Sequence, residues 1–322
     1  MIYDVVIIGS GAAGLSAGLY AGRYLMKTLV IGKDFGGETS NAGIIWNYPG
    51  AKDVDGYELM KIMRDQGKQV GVEYLDGAVT NIENQDGCFR VFSGGKKFEA
   101  NTVIFAMGTE RRRLGLNKEK ELTSHGVHFC ATCDGALYLG KTVAIAGGGD
   151  GAVKAAVLLG TYASKIYIFV RGSAFSAEPK NVEELKSLGD KVKVFFETKI
   201  EGLEGKDKLE KILLSKEVEG QKELILDGLF VEIGTTPNVV LAQSVGVLLD
   251  DKGYIAVDNK MATNVPGIFA AGDTTSHFGS FKQDITAAAM GAVAATSAYH
   301  YRKIRGNVCE LHARPADQVV SS

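Results

Sequence analysis

The chain has 322 residues, 45% of them hydrophobic and 23% charged, with 41 glycines against only 5 prolines. That length suggests about two domains, and a glycine excess without proline points to tight turns and close backbone approach rather than low complexity. A balance of 36 basic against 38 acidic residues excludes the strongly basic footprint of a nucleic-acid binder, and four cysteines are too few for a disulfide scaffold.

The first apolar run, Val5–Ile8, follows Asp4 and lacks a basic leader region, so the chain reads as a cytoplasmic protein whose cysteines are catalytic or inert rather than structural bridges. This run predicts a buried strand. It is followed by Gly9-Ser10-Gly11-Ala12-Ala13-Gly14, an Ala/Leu-rich helix and a second buried strand, Lys27–Ile31. Glycines in this spacing between a strand and a helix form a dinucleotide-binding turn. Gly9 permits the tight turn, Gly11 admits a pyrophosphate and Gly14 lets the helix pack closely on the strand, while the helix N-terminus offers N–H donors.

A second copy of this pattern starts at Thr142. A strand ends at Ala146, the turn is Gly147-Gly148-Gly149-Asp150-Gly151-Ala152, and a further strand covers Lys165–Val170. The segments Gly108–Arg113 and Gly234–Asn238 read as crossings between two domains. The expected architecture is therefore α/β, with two three-layer, Rossmann-like domains, the second inserted in the first. Residues 1–113 and 244–306 would form the first domain, 114–243 the second, and 307–322 a C-terminal tail.

Just upstream of the second glycine turn stands Cys130-Ala131-Thr132-Cys133. Such a pair is either redox-active or half of a zinc site. His125 and His128 lie nearby, but Cys88 and Cys309 are singletons and no second ligand pair exists, so no metal site is expected. Closely spaced thiols form a disulfide readily, and one thiolate is easily stabilised. Asp134 directly follows and would carry the proton that thiol–disulfide exchange moves, or cap the next turn. The basic run Arg111–Arg113 with Lys118 and Lys120 reads as a solvated linker. Strand-like runs at Gly253–Val257 and Gly267–Asp273 precede a long Ala-rich helix from about Asp284, whose uncharged stretch Ile285–Tyr301 falls short of the ~20 strongly apolar residues of a membrane span.

The Gly-x-Gly-x-x-Gly turn, Cys130-Ala-Thr-Cys-Asp-Gly135 and Gly267-Ile-Phe-Ala-Ala-Gly-Asp273, in this order and length, resemble the low-molecular-weight thioredoxin reductases. Phe35-Gly-Gly-Glu38, Trp46-Asn-Tyr-Pro-Gly50, Ala106-Met-Gly-Thr109 and Gly234-Thr-Thr-Pro-Asn238 extend the resemblance over the chain to about residue 305. It implies FAD in the first domain, held by Gly9, Ser10, Gly11, Ala12, Ala13, Gly14, Gly37, Glu38, Asn47, Val79, Gly108, Gly272, Asp273, Lys282 and Gln283. It also implies a homodimer, thioredoxin or a similar disulfide protein as substrate, and a rotation of the second domain. Cys133 would be the thiol facing the flavin and Cys130 the thiol that exchanges with the partner. An acid at Asp273 can accept from a ribityl hydroxyl, and the positive end of the following helix would favour reduced flavin.

The second dinucleotide site departs from the family. NADPH-using members carry His-Arg-Arg-x-x-x-Arg after the strand, where this chain has Val170-Arg171-Gly172-Ser173-Ala174-Phe175-Ser176. Only Arg171 remains for the 2′-phosphate, and no acidic residue stands there for the ribose of NADH. Lys154 and Gly151 replace a usual Glu and a usual Ser or Thr. Lost charge-assisted contacts cost roughly 1.5–3 kcal/mol each, enough for two or three losses to weaken NADPH by about 10³-fold. A residual nucleotide site would comprise Gly147, Gly149, Asp150, Ala152 and Arg171. The expectation is a reductase whose donor is ferredoxin rather than NADPH; the basic run, read first as a solvated linker, has as its alternative use a face toward that acidic protein. The alternatives are an NAD(P)H-dependent reductase with a relaxed site, or a dithiol oxidase. Glu38 stands where many members have Gln, and Ala136-Leu137 replace a commonly aromatic pair. In the tail, His312 would stack over a flavin or the tail would stay unstructured, and Cys309 would be an incidental thiol.

Overall fold

The computed structural model describes residues 2–309 apart from Trp46 and Ser280. Among the described residues the chain folds as two compact units, one formed by residues 2–109 and 237–309 and the other by residues 110–236. The crossings therefore lie a few residues before the positions near 113 and 243 suggested by the sequence. On the first unit's side the Asn238 N–H donates to Gly108 O, and on the second unit's side the Arg112 N–H donates to Gly234 O.

In the first unit, β1 (Ile2–Ile8) leads into α1 (Ala12–Arg23) and returns as β2 (Thr28–Gly32). Every residue of β2 is buried and β1 is buried from Val5 onward, as strands covered on both faces require. Next comes α2 (Gly56–Gln69), which starts where Asp55 Oδ1 accepts the N–H groups of Tyr57 and Glu58. The strands β3 (Glu73–Asp76), β4 (Val79–Gln85), β5 (Cys88–Ser93) and β6 (Lys96–Phe105) follow. The sheet runs β3–β2–β1–β6, all parallel. The far edge of β6 is divided, its first half taking β5 antiparallel and Val103–Phe105 taking a later strand in parallel.

The second unit contains β7 (Val127–His128), α3 (Ala131–Asp134), β8 (Thr142–Ala146), α4 (Asp150–Leu159), β9 (Lys165–Phe169), α5 (Pro179–Lys186) and β10 (Val192–Phe195). A three-stranded antiparallel sheet, β11 (Ile200–Glu204), β12 (Lys211–Val218) and β13 (Gln221–Ile225), precedes β14 (Gly228–Val231). The parallel sheet runs β7–β14–β8–β9–β10. Back in the first unit, β15 (Ile268–Ala270) completes the divided edge of β6, and α6 spans Asp284–Arg305. Two Rossmann-like parallel sheets, one inserted within the chain of the other, are thus the observed fold. No helix among the described residues is long and apolar enough to cross a membrane.

α6 is Ala-rich because it crosses α1 at backbone distance. A Cβ added to Gly291 would lie 2.1 Å from Ala13 O, and Ala287, Ala288, Ala294, Ala295 and Ala298 are buried in the same core as Ala12, Ala13, Ala17 and Ala21. Larger side chains at these positions would separate the two helices.

One expectation is corrected by the fold. Cys309 is not an incidental thiol, and Cys88 is not a singleton. The two form a disulfide across 221 residues, with Cα atoms 4.9 Å apart and both residues buried. The Cys309 N–H donates to Asn101 Oδ1, and Asn101 Nδ2 donates to Tyr3 O, so Cys309 is linked to β6 and through it to β1 as well as covalently held to β5. Arg302 pairs with Asp4 at 2.8 Å in the same region. The bond escapes a reading by spacing because only the fold brings β5 and the end of α6 together. His312, Arg314 and Pro315 lie outside the described residues.

Replacing Cys88 by Ser should lower the unfolding free energy by about 2–4 kcal/mol under oxidising conditions, as loss of a native disulfide does. The difference should vanish in excess dithiothreitol, and urea unfolding with and without reductant measures both.

Candidate active site

The first unit builds a cradle around its glycine turn. Gly9 has φ +116°, and a Cβ there would lie 2.0 Å from Ala106 O. A Cβ at Gly14 would lie 1.9 Å from Gly9 O, so only glycine lets α1 start this close to the sheet. Gly11 differs, because a Cβ there would meet nothing nearer than Gly36 O at 3.8 Å. Packing does not require glycine at Gly11, and the open space above it is what a pyrophosphate needs. The turn is held by Gly36 N–H donating to Ser10 O and by Ser10 Oγ donating to Asp34 O. A Cβ at Gly37 would come to 3.5 Å from Gly11 Cα, which places the segment Gly37-Glu38 against the turn.

On the other side, Gly272 adopts φ +78° and faces Ala13. Asp273 Oδ1 is buried and has no hydrogen-bond partner among the described residues. Burial pushes the Asp273 carboxyl up, while Lys282 pulls it down and Asp284 and Glu38 add to the rise. Lys282 Nζ donates to Asp273 O and to Thr275 O and lies 4.2 Å from the Tyr254 ring centroid, and its burial pushes it below the usual lysine range. Gln283 caps α6 reciprocally with Thr286, and its Oε1 accepts Asn47 Nδ2 at 2.8 Å. Asp284 in the first turn of α6 accepts from Thr39 Oγ1 at 2.5 Å. At Gly108, with φ +61°, an added Cβ would meet nothing within 4 Å, and Val79 opens β4 beyond Gly77, whose N–H donates to Gly32 O. The turn Gly9–Gly14, Gly37, Gly272, Asp273, Lys282, Gln283 and Asn47 are joined by these contacts. A buried carboxylate oxygen in need of a donor, beside an open glycine turn, fits the hydroxyl-rich ribityl and pyrophosphate parts of FAD.

In the second unit Cys130 and Cys133 form a disulfide, with Cα atoms 5.3 Å apart. Cys130 is half-buried and Cys133 exposed. Cys130 caps α3, its Sγ accepting the Cys133 N–H at 3.1 Å, and the Asp134 N–H donates to Cys130 O. Asp134 therefore stands one turn beyond Cys130. Its Oδ2 lies 3.0 Å from His128 Nδ1, and His128 Nε2 lies 2.7 Å from Tyr138 Oη. Among the described residues no group of His, Cys, Asp and Glu has the form of a metal site.

The second glycine turn is built like the first but covered differently. Gly147 has φ +143°, and a Cβ there would lie 2.1 Å from Glu232 O. Val170 is buried, and a Cβ at Gly148 would lie 2.5 Å from Val170 Cγ1. The Ser176 N–H and Oγ both donate to Gly148 O, which folds the segment 171–176 onto the turn. Asp150 Oδ1 accepts the Glu178 N–H at 2.8 Å and Asn181 Nδ2 at 2.6 Å, so this carboxylate organises the start of α5. Ala152 is fully buried, while Arg171 and Lys154 are exposed. Much of the basic run is engaged within its own unit. Arg111 pairs with Glu232 at 2.6 Å, Arg113 lies 4.8 Å from the Phe129 ring centroid, and Lys118 Nζ donates to Gly205 O. Arg112 and Lys120 are exposed.

His128 and Tyr138 were not legible as site residues. The signal available was a histidine two residues before Cys130 at the end of a strand, but only the fold shows that it turns toward Asp134.

Residues 3–295 match the pyridine nucleotide-disulphide oxidoreductase family, and the chain belongs to it. Within that family its relatives are low-molecular-weight thioredoxin reductases. The thioredoxin reductase of Bacillus subtilis is 37% identical over 305 residues, covering 93% of this chain and 95% of that protein. The thioredoxin reductase of Lactococcus lactis superposes with a TM-score of 0.87 at 33% identity, over 93% of this chain and 98% of that one. A ferredoxin-flavin thioredoxin reductase from Clostridium acetobutylicum aligns at 34% identity with a TM-score of 0.52, over 94% of this chain and 98% of that one. The chain is an oxidoreductase of this group.

Because the ionised Asp273 carboxylate is disfavoured by burial, the fold without flavin carries its cost when the group is charged and loses that cost as the pH falls and the group protonates. Asp273→Asn should therefore stabilise the flavin-free protein at neutral pH, with the gain disappearing in acid, below the ordinary carboxylate value. The same variant should retain FAD less tightly. Thermal melts of the flavin-stripped protein across pH, together with flavin release on dilution, check both.

Proposed function

We propose that this protein is a FAD-dependent thioredoxin-disulfide reductase, acting as a homodimer, in which electrons reach thioredoxin through Cys130 and Cys133, and that its electron donor is ferredoxin rather than NADPH. The observation that carries the disulfide chemistry is the Cys130–Cys133 bond with Asp134 one turn away. Bound FAD would supply the two electrons that open this disulfide. Cys133 is the sulfur assigned to the flavin side, and Cys130 is the sulfur that attacks the partner. The Cys133 N–H at 3.1 Å favours negative charge on Cys130 Sγ, as an attacking thiolate requires. Attack forms a Cys130–partner disulfide and expels one partner thiolate. Cys133 then attacks Cys130 Sγ, re-forming the internal bond and releasing the second partner thiolate. The two protons lost by Cys130 and Cys133 end on the partner's thiols, with Asp134 as the carrier.

The donor assignment is supported by the covering of the second glycine turn. Where NADPH-using relatives place cations, this chain has buried Val170 packed on Gly148, and Ser176 closed onto the turn by its own backbone. A use of NAD(P)H through a relaxed site is the second reading, favoured by the intact turn geometry at Gly147 and Gly149. Dimerisation is supported by a mostly apolar hollow of about 680 Å³ on the first unit, lined by Tyr20, Phe269, Val293 and Tyr301 with Lys260, Thr296, Ser297 and His300 among them.

Anaerobic addition of reduced ferredoxin should bleach the flavin band, while NADPH and NADH at micromolar concentrations should not. Prompt bleaching by NADPH would assign the donor to the second reading. Cys130→Ser should still accept electrons into the flavin yet fail to reduce an oxidised bacterial thioredoxin. Turnover by Cys130→Ser would overturn the role given to that sulfur.

A further inference from the structure

The described side chains around the cysteine pair contain a polar chain of which the exchange chemistry above uses only Asp134. His128 is buried at the end of β7, stacked on Phe230 of β14 at 5.4 Å. Its Nε2 lies 2.7 Å from Tyr138 Oη and its Nδ1 3.0 Å from Asp134 Oδ2. The three side chains come from three consecutive pieces of chain, the strand before the cysteines, the turn that carries them and the turn after it.

We propose that His128 is a positioning residue for Asp134, holding Oδ2 through Nδ1–H and leaving Oδ1 to exchange a proton with the cysteine pair. This inference rests on the reading of Asp134 as the proton carrier. The direction of the hydrogen bonds follows from the partners. Burial pushes the Tyr138 phenol up to about 12, with the charges of Asp134 and Asp227 adding to the rise. The Asp134 carboxylate can only accept, so Nδ1 carries the ring hydrogen that faces it, and the bare Nε2 of the neutral ring then accepts the Tyr138 phenol hydrogen. The other charged groups facing this cluster are Asp227, whose Oδ2 accepts the Thr142 N–H, and Lys141, whose Nζ lies 5.5 Å from the Tyr138 ring centroid.

The arrangement differs from a merely packed histidine. Stacking on Phe230 and the Tyr138 bond fix the ring plane, so Nδ1 points at one place only. Asp134 is about a third exposed, with 32% of its side chain accessible, and without a fixed partner its carboxylate would sample several rotamers. A proton carrier is effective only within hydrogen-bond reach of its sulfur, so restricting that freedom raises the transfer rate without any contact between His128 and substrate.

The test uses the full-length flavoenzyme, reduced with dithionite and mixed with an oxidised bacterial thioredoxin, and reads the rate of thioredoxin reduction in a single turnover. Asp134→Asn should slow this step about 10²-fold, as loss of a general acid–base group does. His128→Leu should slow it about 10-fold with flavin absorbance and melting temperature near wild type, a part of the Asp134 effect. His128→Asn, whose amide can donate from near the Nδ1 position, should regain most of the rate. The double variant His128→Leu/Asp134→Asn should be no slower than Asp134→Asn alone, because both act through one carboxylate. A wild-type rate in His128→Leu, no recovery in His128→Asn, or a double variant slowed by the product of the single effects would each overturn the positioning role while leaving Asp134 in place. A wild-type rate in Asp134→Asn would instead remove the proton-carrier reading and this inference with it.

Discussion

Everything in the first unit depends on two backbone segments touching where no side chain can intervene. The carbonyl of Gly9 occupies the space a Cβ on Gly14 would need, and the carbonyl of Ala106 occupies that of Gly9. These contacts seat the first turn of α1 at the mouth of β1 and β6. At the N-terminal end of that turn, an added Cβ on Gly11 would meet nothing nearer than 3.8 Å. The same logic recurs where α6 crosses α1, with Gly291 against Ala13 O. Close backbone approach, rather than any single strong bond, fixes where Asp273 and Gln283 stand relative to the glycine turn.

That geometry leaves a buried carboxylate oxygen on Asp273 without a partner among the described residues. An unpaired buried acceptor of this kind costs stability unless something supplies a donor, so the cradle is better suited to being filled than to being empty. In the second unit the analogous turn carries no such debt. Asp150 is satisfied by Glu178 and Asn181, Gly148 O by Ser176, and Val170 closes the apolar side. The surroundings of the two glycine turns thus differ: Asp273, beside the first, keeps a carboxylate oxygen without a partner among the described residues, whereas Asp150, within the second, is satisfied from within the chain.

The sequence carried the strand–glycine–helix units, the inserted order of the domains, the cysteine pair and the start of α6 at Asp284, because each is a local pattern of a few residues. The Cys88–Cys309 bond could not be read there, since its halves are separated by 221 residues and neither neighbourhood carries a pairing signal. Nor could the chain from Tyr138 through His128 to Asp134. It depends on how a short strand, a four-residue helix and the turn after it lie against Phe230. The folding of residues 171–176 onto the second glycine turn was likewise invisible. The sequence displays Val170, Gly172 and Ser176 along this segment, and the structure adds that Val170 and Ser176 lie against Gly148.

The disulfide between Cys88 and Cys309 has a topological consequence. Its ring runs from β5 through β6, out through all of residues 110–236, and back through β15 and α6. The whole inserted unit is therefore a loop within a covalently closed circle. A single backbone cut anywhere inside that circle, including at either crossing, would leave the two pieces joined. Such a nicked protein would migrate as one chain without reductant and as two with it, and its halves would stay at each other's disposal for refolding.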